Sequence, residues 1–237
     1  MRLAPIVLVL VLLSFSAAAE SDEPFGLATV PAPQNFYTAD WREVLDDWTA
    51  ERAMLDRCRA ERERCPSDAA LQLLSVIDEA RAQTGRARLG FVNRAINLAI
   101  RPIHKRTNYS GPELWRTPVA TLANGAGDCM NYAIAKYFAL GELGISATDR
   151  RLVVVGMKNV GQEHAVVVVR EGPHWLILDN RSMTIVEAAD ATQYFPLLVF
   201  DHRGVQRVRD TGALALNKTL PLLVSVSPSE AGVGTIP

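Results

Sequence analysis

Gly127-Asp128-Cys129-Met130-Asn131-Tyr132-Ala133-Ile134-Ala135-Lys136-Tyr137 decides how this chain is read, together with Glu163-His164-Ala165-Val166 and Leu178-Asp179-Asn180 farther along. Asp128 suits an N-cap, so the first run predicts a helix from residue 129 to about 143, closed by Gly144. Ala133, Tyr137 and Leu140 mark its apolar face, and Met130, Ile134 and Phe138 widen it. Cys129 then lies in the first turn. There the helix dipole and the unpaired backbone N–H groups can stabilise a thiolate and an oxyanion. The glycines of Ala123-Asn124-Gly125-Ala126-Gly127 permit tight backbone geometry just ahead of it. A buried, inert thiol is the competing reading of the cysteine taken alone.

Beyond that helix the helical hydrophobic period gives way to short apolar runs separated by turn residues. Residues 152–155, 164–169 and 175–178 are short β-branched runs, with further runs near 184–186 and 197–200. They predict an antiparallel sheet following helices. Arg170-Glu171-Gly172-Pro173-His174 reads as a turn, so the two flanking runs pair as a hairpin with residue numbers summing to about 343–345. In that register His164 lies opposite or diagonal to Asp179, within reach of a side-chain hydrogen bond. A thiol, a base and a group that orients the base is the set that nucleophilic acyl chemistry requires. Cys129, His164 and Asp179 are therefore the candidate catalytic residues. His104, His174 and His202 are weaker candidates: a basic loop, the hairpin turn, and a position after the main sheet.

The remaining sequence frames this core. Residues 1–19 have a basic start at Arg2, an apolar run and the small residues Ala17-Ala18-Ala19, the pattern of a cleaved secretory signal. The run is too short to span a bilayer, and no later run is long enough, so the mature chain is expected not to span a membrane and to be periplasmic. Residues 20–226 are read as one domain, with an irregular lead-in to about 38 and helical patterning from 40 to about 97, and residues 227–237 as a loose tail. A net charge of −1 with no dense Lys/Arg block argues against nucleic acid as a partner. In an oxidising compartment Cys58 and Cys65 can close a small loop, leaving Cys129 as the odd thiol. Zinc is the weaker reading of the pair, for want of a Cys-x-x-Cys spacing or a nearby histidine.

The residues quoted above, with Trp115-x-Thr117-Pro118, Val92-Asn93 and Asn97 upstream, resemble the bacterial transglutaminase-like cysteine proteinases, the group that includes LapG-type periplasmic proteases. The resemblance implies an α+β, papain-like core: a helical N-terminal half whose nucleophile helix packs on an antiparallel sheet. It implies Cys129 as nucleophile, His164 as base and acid, and Asp179 as orienter. It further implies a protein substrate, a large cell-surface adhesin cut near its N-terminus, and restraint by an inner-membrane receptor for cyclic di-GMP. LapG-type enzymes carry calcium-binding acidic residues on both sides of the nucleophile. Here Met130 and Asn131 follow it, so Asp128 is the one acidic ligand left and Asn131 offers only an uncharged carbonyl; calcium at Asp128 is expected to be held weakly or not at all, and no cofactor is expected to be required.

Two other functions use the same residues. An acyl transferase or amidase acting on a cell-wall peptide would pass through the same acyl-enzyme, and a silent binding module would keep the fold with a blocked cleft. For the oxyanion the N–H of Cys129 is one donor. Trp115 is read as a packing residue rather than the second.

Overall fold

Runs of valine and leucine in Arg150–Met157 (β4) and Glu163–Glu171 (β5) are buried along nearly their whole length, because both faces of this part of the sheet are covered. The computed structural model describes residues 23–26, 28–103, 115–158 and 160–209. The signal segment 1–19, His104 and the tail 227–237 lie outside the described residues.

Among the described residues five α-helices precede most of the sheet: α1 (Phe36–Ala60), α2 (Asp68–Arg81), α3 (Gly85–Ala99), α4 (Pro118–Asn124) and α5 (Cys129–Glu142). The remaining strands are β1 (Thr29–Pro31), β2 (Arg101–Pro102), β3 (Ala126–Gly127), β6 (His174–Leu178), β7 (Val186–Glu187), β8 (Tyr194–Asp201) and β9 (Gly204–Val208). Among the described residues the main sheet has seven strands in the order β1-β9-β8-β4-β5-β6-β7, and all its pairings are antiparallel. A separate parallel pair, β2 with β3, brings Pro102 beside Gly127 and anchors the segment that leads into α5.

Side-chain alternation divides the sheet into two faces. Leu152, Val154, Val167, Val169, Leu176, Leu178 and Phe200 join the main core with α1, α2, α3 and α5. Val153, Val155, Val166, Val168, Ile177 and Val199 form a smaller cluster on the other face with Ala188, Ala191, Trp175 and Tyr194. Trp41 anchors α1 to the main core: its ring meets Tyr137 and Phe200 edge-on, and its indole N–H donates to the Asp201 carbonyl at 2.9 Å. The α+β fold expected from the sequence is thus the fold observed.

Two expectations are corrected. The lead-in read as irregular contains β1, paired to β9, and the start of α1, whose cap at Asn35 and Thr38 is polar and gives no hydrophobic signal. His202 does not follow the sheet; it sits in the tight turn between β8 and β9.

Cys58 and Cys65 are joined as a disulfide across the end of α1 and the short turn after it. Closing so short a loop contributes roughly 2–3 kcal/mol by the chain-entropy estimate. Intact-mass labelling of the denatured, unreduced protein is expected to modify one thiol, and three only after reduction. Three labels without reductant would show that the bond does not form.

Candidate active site

Asp128 is the N-cap of α5, and its Oδ1 accepts from the backbone N–H groups of Met130 (3.0 Å) and Asn131 (3.2 Å). Asn131 reciprocates, its Oδ1 accepting from the Asp128 N–H at 3.1 Å, which completes a capping box. The approach to the cap needs glycine twice. Gly125 ends α4 in the left-handed region at φ 65°, and a Cβ on Gly127 would stand 2.7 Å from Cβ of Asn131. Glu51, on α1, caps α4 from outside by accepting from Thr117 Oγ1 and the N–H groups of Val119 and Ala120. These contacts fix Cys129 as the first residue of α5, with its thiol outside any disulfide.

The hairpin delivers the histidine. Observed pairs Val167 with Leu178 and Glu171 with His174 set the register, so His164 and Asp179 are diagonal neighbours at the open end of the ladder. His164 Nε2 and Asp179 Oδ1 are 2.8 Å apart, and a side-chain hydrogen bond links His164 to Cys129. With Nε2 committed to Asp179, Nδ1 is the ring nitrogen left for the sulfur. The three residues singled out in the sequence therefore meet in one place, whereas His174, paired with Glu187, and His202 lie elsewhere.

Charge is tuned around this line. Burial disfavours the His164 imidazolium, but hydrogen bonds to Asp179 and Cys129 and their negative charge outweigh it and hold its pKa at about 9. Burial likewise disfavours the Asp179 carboxylate. Hydrogen bonds from His164, the Tyr194 hydroxyl (2.5 Å) and the Arg181 N–H (2.8 Å) overcome that and hold its pKa at about 2.

Sequence reading missed two tyrosines. Tyr194 arrives from β8 and saturates the second oxygen of Asp179; nothing local to the motif points to it. Tyr37, one turn before Trp41, donates to Glu163 Oε2 at 3.2 Å. Burial, then that carboxylate, push the Tyr37 hydroxyl well above its usual range, and charge at Cys129 adds to the effect. Trp115 packs against Tyr37 and Phe200, with ring centres 6.1 and 5.6 Å away, as a packing residue does.

The profile of the bacterial transglutaminase-like cysteine proteinases matches residues 49–198, which include the helix, the hairpin and Tyr194. The chain belongs to this family. It is a transglutaminase-like cysteine peptidase. Solved structures of Legionella pneumophila LapG share the fold at a TM-score of 0.55 and 22% identity. One covers 70% of this chain and 92% of that one, and a calcium-bound form covers 65% and 87%. An EGTA-treated form matches at the same identity. No curated protein matches the chain.

Around Cys129 the donors of the described residues do not suit a calcium ion. Met130 is fully buried in the core and offers only sulfur, Asn131 spends its amide oxygen on the cap, and Asp128 Oδ1 already accepts two N–H groups. Among the described residues no group of three or more His, Cys, Asp or Glu is placed to hold a metal ion.

Proposed function

We propose that Cys129, His164 and Asp179 are the catalytic triad of a periplasmic cysteine endopeptidase. The observation that carries this reading is the unbroken line from the Cys129 thiol through the His164 ring to the Asp179 carboxylate at the N-terminus of α5. The thiol proton passes to His164, the sulfur of the resulting ion pair attacks the scissile carbonyl carbon, and the developing oxyanion is met by the Cys129 N–H. His164 then protonates the leaving amine, the C–N bond breaks, and a thioester remains. Water, deprotonated by His164, releases the acid and restores the thiol.

The finer reading rests on the resemblance to LapG-type enzymes: the substrate is a surface adhesin cut near its N-terminus, and a cyclic di-GMP receptor in the inner membrane restrains the enzyme. Export is supported by the N-terminal pattern and by the disulfide, a bond that persists in oxidising compartments. Among the described residues no helix is long and apolar enough to cross a membrane. Comparing surface-retained and shed proteins by mass spectrometry, with and without the gene, tests the substrate. A shed adhesin fragment that depends on Cys129 supports the reading; a product carrying a new amide bond would instead show acyl transfer.

Activity should carry an alkaline limb near pH 9, where His164 gives up its proton. The same shifts set a stability window. The Asp179 contribution is present above its ordinary 3.8 and lost as pH falls through about 2; that of His164 is complete below 6.5 and lost as pH rises through about 9. A kcat/KM profile with its alkaline midpoint below 7 would contradict the hydrogen-bonding seen at the ring.

Cleavage is also expected to survive chelation by EGTA, because the cap rather than an ion organises the start of α5. Complete loss, with rescue by calcium but not magnesium, would mean that residues beyond the capping box rebuild a site.

A further inference from the structure

Behind the hairpin lie three buried polar side chains that the chemistry above leaves unused. Asn93 and Asn97, one turn apart on α3, are buried, and Lys136, two turns beyond Cys129 on α5, is 1% exposed. Asn97 Nδ2 donates to the carbonyls of Asp179 (2.9 Å) and Ser182 (3.1 Å), and Asn93 Nδ2 donates to the same Ser182 carbonyl at 2.8 Å. Lys136 Nζ donates to Asn93 Oδ1 at 2.7 Å, which leaves both asparagine amides oriented toward the 179–182 turn. The ammonium faces Asn93 from α3, the Tyr132 ring 6.0 Å away on its own helix, and the charge of Asp179 from the hairpin.

A neutral amide is a poor partner for a fully buried ammonium. Desolvation lowers the Lys136 pKa to about 7 even though the Asp179 charge acts in the opposite direction. An apolar side chain of similar length at this position would relieve that penalty, so the amine is not explained by core stability. What it does is close a continuous path of hydrogen bonds, from the helix that bears Cys129, through α3, to the backbone that carries Asp179.

We propose that Lys136, Asn93 and Asn97 are positioning residues that tie the 179–182 turn to α3 and α5 and so hold the Asp179 carboxylate at the height where it meets His164 Nε2. The proposal rests on the triad reading above. It deepens that reading by assigning a second layer, drawn from the helical half, that sets where the orienting carboxylate stands.

The test compares the full mature protein with Lys136→Met, Asn97→Ala and His164→Ala. Two readouts are taken: kcat and KM on a peptide cut by the wild type, and the pH dependence of Cys129 alkylation by iodoacetamide. Lys136→Met and Asn97→Ala are each expected to lower kcat about tenfold with KM within about twofold, the size of one lost charge-linked hydrogen bond. The alkaline midpoint of alkylation should move down with them, since a loosened Asp179 supports the imidazolium less well. Lys136→Met leaves the buried Asn93 Oδ1 without its donor and should melt somewhat lower, so the kcat-against-KM split and the alkylation midpoint, which a merely structural role would not move, decide the matter. Unchanged kcat and midpoint in Lys136→Met, with His164→Ala still abolishing the pH dependence, would overturn the tether and leave the triad standing. An alkylation profile identical in His164→Ala and wild type would overturn both. If Asn97→Ala does not fold, Lys136→Met alone decides.

Discussion

Cys129→Ala abolishes peptide cleavage, His164→Ala does nearly the same, and Asp179→Asn falls less far: these are the largest effects expected of any single substitution in the chain. In triads that act as one unit, loss of the nucleophile or base costs on the order of 10⁶ in kcat and loss of the orienter on the order of 10⁴, with little further loss on combining them. The same non-additivity is expected here, because the three side chains form one hydrogen-bonded line. Asp179→Asn replaces an acceptor for His164, the Arg181 N–H and the Tyr194 hydroxyl with a group that is half donor, so the ring also loses its fixed tautomer. Turnover on a fluorogenic peptide library, with circular dichroism to confirm the fold, measures the series. Cleavage by Cys129→Ala at the wild-type rate would end the proposed mechanism.

Trp41→Ala should give the largest loss of stability, about 3–5 kcal/mol, as expected for emptying a large aromatic site in a packed core. Trp41 is 1% exposed, stacks on Phe138 and meets Tyr137 and Phe200 edge-on, and its indole hydrogen bond fastens α1 to β8. For a chain of this size that is a fall in Tm of roughly 10 °C. Catalysis should weaken too, because Tyr37 lies one turn earlier on the same helix and faces the Cys129 site. Urea titration followed by tryptophan fluorescence reads the change. A loss under about 1 kcal/mol would mean that α1 is held by contacts other than this aromatic cluster.

Local signals made the hairpin and α5 readable in advance. A turn with Gly172 between the valine run 166–169 and Trp175-Leu176-Ile177-Leu178 fixes register to within a residue or two, and register alone carries His164 to Asp179. Asp128 before an apolar helical run marks the start of α5, which ends at Glu142, within a residue of the expected place. Tyr194, Tyr37 and the lysine–asparagine path were not readable as contacts. Each reaches the site from an element far away in sequence, and no periodicity encodes which distant side chain completes a carboxylate's coordination. The short β1 and β9 were missed for a related reason: Thr29–Pro31 holds its place by pairing with Gly204–Val208, not by its own propensity.

The topology also orders events during biosynthesis. A chain made from its N-terminus presents Cys129 and its helix first, then His164, then Asp179, and only afterwards β8, which must add to the open edge of β4 before Tyr194 can reach Asp179. Until that strand is in place, the His164–Asp179 pair lacks the Tyr194 hydroxyl on its second carboxylate oxygen. Strand order therefore makes full hydrogen bonding of the Asp179 carboxylate one of the last contacts that a growing chain can form.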